Sequence, residues 1–179
     1  MIFRRKPPGW NDDRVSAHPL AEDDIGELKL PKLVAQPPAV FLSAMIASLA
    51  LDQFVQPLSL GLGWVGGVAG LLLAVGGIAL TMSAMQAYRK AASSPDPHHM
   101  PSALVETGPY ARTRNPLYLG TLLLMLGFGV GANMPWVLIA AVPVMLVIHV
   151  GVVLREEAYL DDVFGDRYRA YRARVRRWV

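Results

Sequence analysis

The chain has 179 residues, 53% of them hydrophobic and only 17% charged, a balance that excludes an ordinary soluble domain. It contains no cysteine, which excludes disulfides, a thiolate nucleophile and any cysteine-ligated metal. The formal charge of +3 comes from arginines that flank apolar stretches, so it points to an anionic lipid surface and away from nucleic acid.

Residues 1–36 are polar, mixed in charge and broken by Pro and Gly, and read as a cytoplasmic tail. The basic start Arg4-Arg5-Lys6 leads into Pro7-Pro8-Gly9 with no apolar run behind it, so a cleaved signal is not expected. Residues 21–30 have the composition of a short interfacial helix, weakened by Gly26 and Pro31. A first membrane span is expected over 37–55, opening on Pro37-Pro38, where a missing N–H costs nothing. Asp52 falls near its far end, a placement that suits the lipid interface.

A second span covers 64–85, and Gly66 and Gly70 have the small-xxx-small spacing of closely packed helices. After a polar stretch to Asn115, a third span runs over 116–132 and a fourth over 136–154, both near the short limit for crossing a bilayer. The brief connection at Asn133-Met134-Pro135 makes them an antiparallel hairpin. From Arg155 onward, Tyr159, Val163, Tyr168, Tyr171, Val175 and Trp178 recur at helical spacing among arginines. That pattern predicts an amphipathic basic helix at the membrane surface, broken at Gly165.

The loops at 57–63 and 133–135 hold no Lys or Arg, so the positive-inside rule puts both termini and the central stretch in the cytoplasm. The expected fold is an all-α polytopic membrane helix bundle with about four spans. The tail 1–36 precedes one membrane domain, 37–179, which ends in the interfacial segment 155–179. The expected location is an integral membrane protein of a bacterial inner membrane.

Two segments are too specific to be loops alone: His98 through Gly120, and Arg155-Glu156-Glu157 with Phe164-Gly165, Tyr168 and Tyr171 behind it. Gly108-Pro109 marks a turn, and Asn115-Pro116 puts an extended residue just before a helix. The third span therefore starts with free N–H groups and a positive dipole end beside Arg114, a combination suited to an anion. Tyr110 and Tyr118 offer aromatic faces to a cation. Glu156 and Glu157 are expected at the C-terminal end of the fourth span, where acids oppose the helix dipole, and a carboxylate there can accept two hydrogen bonds from a ribose diol.

The residues Gly108-Pro109-Tyr110, Arg114-Asn115-Pro116-Leu117-Tyr118-Leu119-Gly120, Glu156-Glu157, Phe164-Gly165, Tyr168 and Tyr171 stand in the order of a known pattern. The chain resembles the membrane methyltransferases related to isoprenylcysteine carboxyl methyltransferase and phospholipid N-methyltransferase, from about residue 98 to the end. The resemblance implies an S-adenosylmethionine site at the cytoplasmic edge of the last two spans, with His99, Gly108, Tyr110, Arg114, Asn115, Pro116, Tyr118, Glu156 and Glu157 in it. It further implies a Glu on the ribose hydroxyls, His99 or Arg114 toward the methionine carboxylate, and Tyr118 along the path to the methyl group. Arg114, Tyr118 and Glu157 are the candidates for the chemistry itself. Many relatives have His where this chain has Asn115, which does not titrate near neutrality, so no proton transfer is expected there.

The implied activity is methyl transfer to a lipid or lipid-like acceptor of the isoprenylcysteine or phospholipid type, entering sideways from the bilayer, with no metal. A carboxylate acceptor is already a nucleophile, whereas an amine must first lose a proton, for which the sequence offers Glu157 and His99. The alternatives are an NADPH-dependent membrane reductase of the sterol reductase type, whose C-terminal motif is similar but whose chain is longer, and a non-enzymatic membrane scaffold.

Overall fold

The computed structural model describes residues 36–55, 57–91 and 104–179. They fall within one structural unit, Pro31–Val179. The expected tail up to residue 35, its interfacial helix, and His98 and His99 lie outside the described residues.

Helix α1 (Pro37–Phe54) starts with Pro in its first two positions, as the sequence leads one to expect. Helix α2 (Gly63–Ala91) is 29 residues long and carries Arg89 and Lys90 in its last turn, where cations complement the dipole. A 3₁₀ turn, Gly108–Ala111, leads into α3 (Pro116–Gly131). Then come α4 (Pro135–Ile148), a π-helical turn (His149–Val153), α5 (Leu154–Phe164) and α6 (Asp166–Arg174). The described residues contain no strand, and the protein is an all-α membrane helix bundle.

Three helical runs are long and apolar enough to cross a membrane: Pro37–Phe54, Gly63–Ala91 and the continuous Pro135–Phe164. The third expected span is apolar but stops at 16 residues. At about 1.5 Å per residue it is roughly 24 Å long, short of a hydrocarbon core of about 30 Å. Its end is set by a tight turn in which Asn133 takes φ 57°. The Asn133 side chain also links the two loops at that end, accepting from Leu60 N and donating to Ser59 Oγ at 2.8 Å each.

Small residues bring α2 and α3 into backbone contact. A Cβ on Gly70 would lie 2.6 Å from the Gly127 carbonyl oxygen, and one on Gly77 would lie 2.7 Å from that of Gly120. The order 70 with 127 and 77 with 120 makes the pair antiparallel. Gly66 and Gly70 were legible as packing positions from their spacing, but their partner helix was not. The apolar core joins Phe41 of α1 to Val137, Ala141, Val144 and Ile148 of α4 and to Val152 and Val153 of the π turn. Asp52, expected at the interface, is partly covered by protein, with Oδ1 enclosed and unpartnered among the described residues.

Two expectations need correction. The helix of the fourth span does not end near residue 154, because the π turn carries it on to Phe164. Glu156 and Glu157 therefore sit inside a continuing helix, and the dipole penalty does not apply to them. Nor does the C-terminal helix reach Trp178. It breaks at Gly165 (φ 49°) as expected, resumes as α6 and stops at Arg174, after which Val175 is extended. The last residues are extended because their backbone carbonyls are taken by the segment before α3, described next.

Candidate functional site

Gly108 opens the 3₁₀ turn at φ 61°, a left-handed conformation that glycine adopts without strain. The turn rests on α2, where a Cβ on Gly108 would just touch that of Ala87 at 3.4 Å. From the other side, Tyr171 of α6 donates its phenol proton to the Tyr110 carbonyl oxygen at 2.7 Å. Leu104, Tyr168, Tyr171 and Val175 form a second small core that holds α6 against this loop. Glu106 adds two ion pairs, with Arg167 and Arg174, both on exposed arginines.

Residues 113–115 run alongside 176–177. Thr113 and Arg176 form a parallel bridge, and Arg114 N donates to the Arg176 carbonyl oxygen at 2.9 Å. Buried Asn115 donates from Nδ2 to the Arg177 carbonyl oxygen at 3.0 Å. Asn115 thus fixes the path of the C-terminal segment, a use that needs a side-chain N–H donor and no titration. Pro116 follows as the buried first residue of α3.

This arrangement aims Arg177 at Glu157. Its Nε and Nη2 donate to the two carboxylate oxygens at 2.8 Å each, a bidentate fork. Arg114 Nη1 reaches the same Oε1 at 3.0 Å and donates to Tyr168 Oη at 3.3 Å. Glu157 is one of the few buried polar side chains, 8% exposed, and both its oxygens are committed. The hydrogen bonds it donates to Glu157 also hold the Arg177 guanidinium above its usual range. Arg114 keeps one resource: its Nε is buried and has no partner among the described residues.

At the residue preceding Glu157, Tyr118 of α3 donates its phenol proton to Glu156 Oε1 at 2.7 Å. Both are half-buried. Tyr110 lies in the same neighbourhood: burial first, then the nearby Tyr88 and Glu156, push its phenol up to about 12. The grouping offers a carboxylate and two phenol rings to a cation or a diol, with a buried guanidinium N–H close by.

The two sequence segments therefore meet. Gly108, Tyr110, Arg114, Asn115, Pro116 and Tyr118 come from one side, Glu156 and Glu157 from the other. Three residues escaped the sequence reading. Arg177 and Trp178 were absorbed into a helical pattern that the extended segment does not follow, and nothing local signalled the reversal. His149 was hidden in an apolar run. It opens the π turn, its ring centroid lies 6.1 Å from that of Trp178, and its Nδ1 is buried and unpartnered among the described residues.

No solved structure matches the chain. An uncharacterized protein of Haemophilus influenzae (strain ATCC 51907 / DSM 11121 / KW20 / Rd) is similar, 38% identical over 65 residues, which is 35% of this chain and 100% of that protein. The family model described as phospholipid methyltransferase matches residues 65–167, from early α2 to the start of α6. That match takes in Gly108 through Gly120 and the Glu156-Glu157 pair and covers more than half the chain, and the chain belongs to the phospholipid methyltransferase family.

Proposed function

We propose that this membrane methyltransferase uses S-adenosylmethionine and methylates a phospholipid-type acceptor that bears an amine. The observation that carries the reading is the Tyr118–Glu156 hydrogen bond of 2.7 Å beside the buried Glu157 clamp, which joins both motif segments at one end of the bundle. The donor set suits the cofactor. Glu156 is a half-buried carboxylate for a ribose diol, the Tyr110 and Tyr118 rings suit a sulfonium cation, and the unpartnered Arg114 Nε suits a carboxylate. When bound, the cofactor would supply an electrophilic methyl group.

The chain's own residues then divide the work. Glu156 and Tyr118 hold and orient. Glu157, locked between Arg114 and Arg177, is a positioning residue that fixes α3 against α5, and its occupied oxygens suit it poorly to take a proton. Gly108 and Asn115 shape the loop and the C-terminal segment around it. Alignment of donor and acceptor with water excluded is most of what an in-line displacement asks of a protein. The positive-inside pattern supports a cytoplasmic site with both termini on that side, and residues 37–179 as the membrane domain.

The test is binding and transfer with purified protein. Labelled S-adenosylmethionine should be retained and NADPH should not, and label should pass to phosphatidylethanolamine in vesicles rather than to an isoprenylated cysteine. Retention of NADPH alone would replace this reading with the reductase one.

A further inference from the structure

We infer that His149 is the base that takes the proton from the acceptor amine, an inference that rests on the amine reading above. A protonated amine has no lone pair for methyl transfer, so something must remove its proton first. The carboxylates near the site are poorly placed to do so. Both Glu157 oxygens face guanidinium groups, and Glu156 accepts the Tyr118 phenol proton at Oε1 (2.7 Å) and is the carboxylate assigned above to the ribose diol. Asp52 belongs to the far end of α1. His149 Nδ1, by contrast, is enclosed by protein and has no partner among the described residues.

Its position fits the task. It stands at the junction between the membrane helix α4 and the polar helix α5, seven residues before Glu156, or about 10 Å along the axis. The junction is a π turn, an irregularity that often marks functional positions. Trp178 packs at 6.1 Å on one side, and both Tyr118 and Trp178 pack on the cluster containing Ile148, Val152 and Val153. The two rings are tilted at 45° to one another, so the indole lies close enough to sense the imidazole. The titratable and charged groups on the surrounding elements include Tyr118 on α3, Arg155, Glu156, Glu157, Tyr159, Asp161 and Asp162 on α5, Arg114 before α3, and Arg176 and Arg177 on the C-terminal segment.

The step balances. The ammonium proton passes to His149 Nδ1, leaving a neutral amine. The nitrogen lone pair forms the new N–C bond as the C–S bond of the methyl donor breaks, and that pair returns to sulfur. The imidazolium then releases its proton to water.

The experiment uses the full chain in phosphatidylcholine vesicles with and without phosphatidylethanolamine. Protonation of His149 should quench Trp178, so tryptophan fluorescence against pH gives a step without any turnover, which disappears in His149→Gln and in Trp178→Phe. The acid limb of kcat/KM in the native protein should coincide with that step. His149→Gln should lower kcat at least 100-fold, with S-adenosylmethionine affinity and lipid KM unchanged. Non-coincidence in the native protein, or a His149→Gln variant that keeps kcat and the acid limb, would overturn the assignment and leave the methyltransferase reading standing. Native protein that binds S-adenosylmethionine but transfers nothing to phosphatidylethanolamine would remove the amine acceptor and this base with it. Loss of cofactor binding in the native protein would overturn both readings.

Discussion

Arg177 meets Glu157 through two parallel hydrogen bonds of 2.8 Å, across twenty positions of sequence and a change from helix to extended chain. Arg114 approaches the same carboxylate from the opposite segment at 3.0 Å. One buried acid therefore ties three stretches of backbone together, and removing it leaves two guanidinium groups facing each other. Glu157→Ala should lower stability by about 3 kcal/mol or more, in the range for breaking a buried ion pair. Arg177→Ala should cost less, about 1–2 kcal/mol, because its side chain is 35% exposed and Arg114 still neutralises the acid. Thermal midpoints in detergent, with S-adenosylmethionine affinity measured alongside, check the order of the two variants.

Tyr118→Phe removes a short hydrogen bond to a carboxylate while keeping the ring. Bonds to charged groups contribute about 1.5–3 kcal/mol, so cofactor affinity should fall about tenfold or more if Tyr118 orients Glu156. Glu156→Gln should lower affinity similarly, and the double variant should lose less than the sum of the two, as partners in one interaction do. Calorimetric titration of the three variants decides it. Additive losses would mean that the pair does not act together.

The glycine seam makes a prediction with a built-in control. Gly70→Ala and Gly77→Ala place a Cβ within 2.7 Å of backbone on α3 and should destabilise the bundle by several kcal/mol or abolish its assembly. Gly67→Ala and Gly76→Ala meet nothing within 4 Å and should be neutral or raise stability by up to about 1 kcal/mol through helix propensity. Yield and thermal midpoint of the four variants should split cleanly by face.

The cap formed by α6 and the 3₁₀ turn should loosen at high pH. Burial pushes the Tyr110 phenol from 10 up to about 12, and it also raises those of Tyr168 and Tyr171. Above pH 10 the unfolded chain loses these protons before the folded one does, so the unfolded state binds fewer protons and stability falls as pH rises. Unfolding midpoints should be flat with respect to these groups below pH 10 and drop through about pH 12, less steeply in Tyr110→Phe.

The parts legible in sequence are those encoded by local period or punctuation. Hydropathy marked the apolar helices, Pro37-Pro38 and Pro116 marked helix starts, and Gly165 marked the break between α5 and α6. The pairing of Arg114-Asn115-Pro116 with Glu156-Glu157 was legible because the motif carries it. The unbroken continuation of the fourth span's helix through residue 154 was not, because a π turn has no distinct composition. The reach of Arg177 back to Glu157 was not, because an extended return is dictated by hydrogen bonds to residues 113–115, far away in the chain. A helical spacing of Val175 and Trp178 with the preceding tyrosines concealed it.

The π turn at His149–Val153 sets the azimuth of everything that follows on the same rod. One residue of an ordinary helix is worth about 100° of rotation. Deleting a single residue from this turn would leave length, hydropathy and composition almost unchanged, yet it would swing Glu156 away from Tyr118 and Glu157 away from Arg177. The helix that anchors the protein in lipid and the helix that carries its acids are thus one mechanical piece, phased by a one-residue irregularity.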